Sequence, residues 1–180
     1  DQTGLQFKLN LKNESIMIPA SKTFTLKKDE SVILPFNLNM NGALLKYATA
    51  QLLTKIDDNG KPHYFFFAPN GIEPEFVFDK ASLKSGKSVV TPVAGYKSTF
   101  SVTAKSGEKI LITTLTREQA LQTAKVDGHI LITDATVLPE KGKCTLLNLG
   151  KNKFDYVLYP SAKGWKQQTI EVPAVNPVFK

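Results

Sequence analysis

At 180 residues, with 42% hydrophobic and 22% charged residues, the chain carries enough apolar material for one well-buried domain or two small β units, and the balance argues against disorder. Its net charge of +7 comes from 23 basic residues of which Arg117 alone is arginine. Dispersed lysines without arginine forks argue against nucleic acid as a partner, no run approaches the ~18–20 apolar residues of a membrane span, and the single Cys144 excludes an internal disulfide framework.

In chain order, Asp1-Gln2-Thr3-Gly4 is neither an initiator Met nor the start of a signal-like segment, so a mature product or an excised piece without a targeting segment is expected. Gln6–Asn10 and Thr23–Lys27 alternate apolar and polar residues, the period of a strand with one buried face. Ser31–Phe36 reads as a strand ending near Pro35. Asn41-Gly42, Asp57-Asp58-Asn59-Gly60 and Pro69-Asn70-Gly71 are turn signals, and Ala43–Ile56 with His63–Ala68 is expected to form a hairpin around Asp57–Lys61. The second strand is almost wholly apolar and should be covered on both faces. Glu75–Asp79 alternates again, placing Phe76 and Phe78 on one side and Val77 on the other.

The Lys-, Ser- and Gly-rich stretch from Lys80 to Thr91 suggests a boundary, dividing a first β subdomain with the aromatic hairpin (1–86) from a second, sandwich-like one (87–180). Tyr96–Lys105, Lys109–Thr114, His129–Thr133, Lys143–Leu149, Phe154–Tyr159 and Gln168–Val172 read as short strands separated by turn signals. Thr116–Lys125 reads instead as a short helix, with Thr116 and Gln119 forming a capping box and Ala120, Leu121 and Ala124 its buried side. Cys144 is expected to be a buried structural thiol. The fold class is therefore all-β, an antiparallel β-sandwich as one unit or as two small subdomains, with one short helix near 116–125.

The chain offers little chemistry. A glycosidase needs two carboxylates flanking a bond, and Glu73-Pro74-Glu75 is the tempting pair, but the intervening proline marks a loop. Asp57-Asp58 fits turn formation. His63 and His129 have no metal-ligand spacing, no Gly-x-Ser-x-Gly elbow is present, and the glycines make no phosphate-binding pattern. No catalytic residue, metal ligand or cofactor is assigned. The remaining idea is a carbohydrate platform of exposed rings, for which Trp165, Tyr159 and Tyr47 are the candidates, Trp165 because it follows a turn-like Lys163-Gly164.

Pro35-Phe36-Asn37-Leu38 followed by Leu44-Leu45-Lys46-Tyr47-Ala48-Thr49-Ala50-Gln51 resembles the PFNL…LKYATAQ segment of glycoside hydrolase family 35 β-galactosidases. His63–Ala68 and Gly71–Phe76 continue the likeness as YFFFA…GIEPEF, and Leu115–Ala120 and Leu131–Ala135 resemble the family's LTREQA and L-S-DA elements. In that family the catalytic glutamates lie on an upstream (β/α)₈ barrel, a fold of about 250 residues, so no catalytic position carries over. The resemblance implies a structural accessory β region with the catalytic barrel of its parent chain as partner, and a parent acting on terminal β-galactosides. Glu73, Glu75 and Phe76 are the candidates for inter-domain packing. A self-standing carbohydrate-binding module with galactoside glycans as ligands is the alternative, and an extracytoplasmic location, periplasmic or secreted, is expected.

Overall fold

A computed structural model describes residues 1–140, 143–147, 150, 152–160 and 168–171. Four short strands open the chain: β1 (Gln2–Leu5), β2 (Phe7–Asn10), β3 (Ser15–Ile18) and β4 (Phe24–Leu26). Next come β5 (Phe36–Met40), β6 (Ala43–Ala48), β7 (Gln51–Asp57), β8 (Pro62–Phe67) and β9 (Phe76–Phe78), then a 3-10 turn at Lys80–Ser82. β10 (Leu83–Ser85), β11 (Val89–Val90), β12 (Thr99–Ala104) and β13 (Lys109–Leu115) lead into the helix α1 (Arg117–Leu121). The described chain finishes with β14 (Thr123–Val126), β15 (His129–Thr133), β16 (Thr136–Glu140), β17 (Lys143–Leu147), β18 (Lys153–Tyr159) and β19 (Gln168–Glu171).

These strands build a five-stranded sheet in the order β10-β12-β13-β8-β7, a four-stranded sheet β11-β9-β6-β5 and a second four-stranded sheet β14-β15-β18-β19. The pairs β1-β4, β2-β3 and β16-β17 stand outside them. The five-stranded sheet is the middle layer. Its Tyr64, Phe66, Val102, Ile110 and Ile112 meet Met40, Leu45, Phe76 and Phe78 of the first four-stranded sheet. On its other face Ile56, Phe65 and Leu115 meet Ile130 and Ile132, with Val157 and Tyr159 packed alongside. β8 lies between both contacts, which is why its side chains are apolar in both directions and buried from Pro62 to Phe66. As expected, Phe76 and Phe78 share one core while Val77 faces another.

The fold is all-β, and among the described residues its pairings are antiparallel except one: β8 and β13 run parallel. A parallel pair needs a long crossover, here residues 68–108, which visit the neighbouring sheet at β9 and β11 and return through β10 and β12. The ladders consequently cross the division expected at residue 86, since β7, β8 and β10 share a sheet with β12 and β13. The expected turns at Asn41-Gly42, Asn59-Gly60 and Asp127-Gly128 are present, each with both residues at positive φ, the geometry that matches strand twist.

Several local expectations are corrected. Ala43–Ile56 is two strands, because at Thr49-Ala50 the chain passes from one layer to the next through a fully buried corner. Residues 31–35 form no strand, and β5 begins only after Pro35. Gln6–Asn10 presents Phe7 to solvent rather than to a core. The helix stops at Leu121, which is 76% exposed rather than buried, and the residues after it extend into β14 to pair with β15. Cys144 is exposed, paired with Pro139 toward the end of the β16-β17 ribbon.

Candidate functional site

The Gly71–Phe76 segment carries Glu75 inward and Glu73 outward. Glu75 is 2% exposed, and both carboxylate oxygens are engaged. Oε1 accepts from the Ala20 amide at 2.8 Å and the Tyr47 hydroxyl at 2.6 Å. Oε2 accepts from the Ser21 amide at 3.3 Å and from the Ser21 hydroxyl. Burial pushes the Glu75 pKa up, yet the hydrogen bonds from Ser21, Tyr47 and the backbone outweigh it and hold the carboxyl below its ordinary value. Glu73 is 75% exposed and pairs with Lys22 at 2.5 Å. A general acid for glycoside cleavage needs a raised pKa, the reverse of what surrounds Glu75. The recess that both glutamates line measures about 20 Å³, room for a water rather than a sugar ring. This cluster is a staple, holding the Pro19–Ser21 turn to β6 and β9.

A second polar group sits between layers. His63, on β8, takes Asp58 at 2.8 Å on Nδ1 and Thr113 at 2.7 Å on Nε2, and Thr113 meets Thr99 at 2.6 Å. The order acid–imidazole–hydroxyl imitates a hydrolytic triad, but Thr113 is fully buried and offers no face to a substrate. Burial lowers the His63 pKa, with Asp58 opposing it. The ring stacks on Phe65 at 4.3 Å and meets the edge of Tyr159 at 5.5 Å.

Of the three residues proposed from sequence as a sugar platform, the two that are described, Tyr47 and Tyr159, turn into the fold. Tyr47 is 1% exposed, with its hydroxyl donated to Glu75. Tyr159 packs edge-on against Phe65, and its hydroxyl donates to the Tyr96 carbonyl. Trp165 lies outside the described residues. Phe76 is fully buried between Phe66 and Phe100, so its ring and the Glu75 carboxylate serve packing within the chain. Among the described residues no three His, Cys, Asp or Glu side chains gather as a metal site, and no helix is long and apolar enough to cross a membrane.

Among the surface concavities of partner size is a cleft of about 500 Å³ at Lys55, Lys125 and His129, and two others differ from it in their linings. One is a largely apolar groove of about 350 Å³ lined by Ile33, Pro35, Phe36, Leu38, Gln51, Leu52 and Phe67. It lies where β5 and β7, the outer strands of their sheets, end the two layers on the same side. The other is a cavity of about 270 Å³ beside α1. Neither could be read from sequence, since each gathers residues from separate strands.

A family profile described as beta-galactosidase, domain 2, matches residues 1–136. The chain belongs to the beta-galactosidase domain 2 family. The match spans the N-terminal ribbons, both sheets of the main sandwich, α1 and β15. It makes this chain an accessory domain of a beta-galactosidase-like protein, and implies a catalytic-domain partner in the parent polypeptide. Comparison with curated proteins finds no match. Within the domain 2 family region fall the Glu75 staple, the His63 group and the apolar groove.

Proposed function

We propose that this domain is the non-catalytic structural partner of a family-35-like β-galactosidase barrel, and that it serves by packing on that barrel through the groove between β5 and β7. The groove carries the reading. Ile33 is 82% exposed and Leu52 42% exposed beside Pro35, Phe36, Leu38 and Phe67, a contiguous apolar surface of the kind that marks an interface. Family membership supports the catalytic domain of the parent polypeptide as its occupant. Bond cleavage then belongs to the barrel, in keeping with a Glu75 whose oxygens are saturated and a Glu73 that stands in solvent.

The test has two arms. The purified 180-residue chain is assayed on a chromogenic β-galactoside, with no turnover expected; hydrolysis abolished by Glu73→Gln or Glu75→Gln overturns the assignment. In the complete parent polypeptide, Ile33→Asp with Leu52→Asp is expected to lower the melting temperature of the barrel while leaving the isolated chain's unfolding unchanged. An unaltered parent removes the groove as the docking surface.

A further inference from the structure

Residues 30–35 lead into β5 without forming a strand, yet they are tied to the body of the domain at successive points. The Glu30 amide donates to the Lys27 carbonyl at 3.2 Å, closing a turn in which Asp29 stands at φ +61°. The Glu30 carboxylate accepts from the Asn70 carboxamide at 3.3 Å and faces the Arg117 guanidinium at 3.4 Å, so the Pro69–Gly71 turn and the start of α1 both hold it. Three residues on, the Ile33 amide donates to the side-chain oxygen of Gln51 at 2.8 Å. Leu34 packs against the core of Ile16, Ile18 and Tyr47. The Pro35 carbonyl then accepts from the Ala48 amide at 3.2 Å.

These tethers leave one apolar side chain out. Val32 and Leu34 are half-buried, while Ile33 between them projects into solvent at the wall of the groove. Covering it is favourable in proportion to the apolar area removed from water. Two costs ordinarily offset such a gain on association: ordering the backbone and freezing the side chain. Here the backbone is already fixed on both sides of Ile33, and a β-branched side chain has little χ1 freedom to lose. The residue is therefore presented in advance as a rigid apolar knob. Gln51 is the tether nearest to it. It opens β7, lines the groove itself and bonds the backbone of the knob directly.

Resting on the reading that the groove receives the catalytic domain, we infer that Ile33 anchors this interface by entering a concave apolar socket on that domain. Gln51 is its positioning residue, holding the segment in the docked shape before docking occurs.

Amide hydrogen exchange of the 180-residue chain and thermal unfolding of the complete parent polypeptide test it. In the isolated chain Gln51→Ala should speed exchange of the Ile33 amide about tenfold, with the melting temperature unchanged. Gln51→Glu, which keeps an oxygen acceptor, should restore the protection. In the parent, Ile33→Ala should lower the melting temperature of the catalytic domain by about 4 °C, and Gln51→Ala by about 2 °C. Both substitutions together should lower it no further than Ile33→Ala alone, because nothing is left to position. An Ile33→Ala parent that melts unchanged, shifts that add, or Ile33 exchange that ignores Gln51 each overturn the inference. If Ile33→Asp with Leu52→Asp still lowers the parent's melting temperature in those cases, the groove stands and only the anchor falls. If that pair also has no effect, the groove falls with it.

Discussion

Glu75 joins the Pro19–Ser21 turn to β6 by accepting four hydrogen bonds, and its removal leaves buried donors without partners. Each such orphan costs about 1–3 kcal/mol, so Glu75→Ala should lower unfolding free energy by about 3 kcal/mol, measured in urea, whereas Tyr47→Phe should cost about 1–2 kcal/mol. Two of the buried titratable groups, His63 and Glu75, also set how stability varies with acidity. His63 binds its proton less readily when folded than when unfolded, so the unfolded chain carries more protons below its ordinary value of 6.5. Stability is full above that value and falls as pH drops from it toward the folded pKa; His63→Gln should flatten this part of the profile. Glu75, also held below its ordinary 4.5, adds a second loss as pH falls further. Urea midpoints taken from pH 7.5 down to 3.5 check both windows.

Short connections decide which strands can meet. Gly71, at φ +80°, follows Asn70 in the expected turn, and its carbonyl accepts from the Thr25 amide at 3.2 Å. A Cβ placed there would stand 2.6 Å from the Thr25 carbonyl oxygen, a backbone atom with nowhere to go. Gly71→Ala should therefore destabilise by about 2 kcal/mol or more, while Gly60→Ala, at φ +78° but in open space, should cost only about 1 kcal/mol. Thermal unfolding of the pair separates collision from backbone strain. The helix follows the same logic of local geometry. Its capping box was legible at Thr116 and Gln119, but its length was not, because Thr123–Val126 earns more by pairing with β15 than by extending an isolated turn.

Three layers share one middle sheet, and that sheet draws strands from both sides of residue 86. β8 alone pairs with β7 on one edge and with β13 on the other. A fragment ending at residue 86 lacks β12 and β13, so Tyr64 and Phe66 lose Ile110 and Ile112 across the sheet face. Such a fragment should show little ordered β structure by circular dichroism, whereas the 180-residue chain should unfold through this sandwich cooperatively. A folded 1–86 fragment would restore the division expected from composition.

The linear chain determined whatever depends on near neighbours. Alternation at Phe76–Phe78, the Asn-Gly and Asp-Gly turns, the capping box and the doubly apolar β8 each follow from a few consecutive residues, and the motifs from Pro35 to Ala135 marked the family. The parallel β8-β13 pair, the corner at Thr49-Ala50, the burial of Tyr47 and Glu75 and the surface concavities were decided only by tertiary structure. Each joins segments tens of residues apart, and an apolar or acidic side chain looks the same in sequence whether folding turns it toward solvent or encloses it among partners.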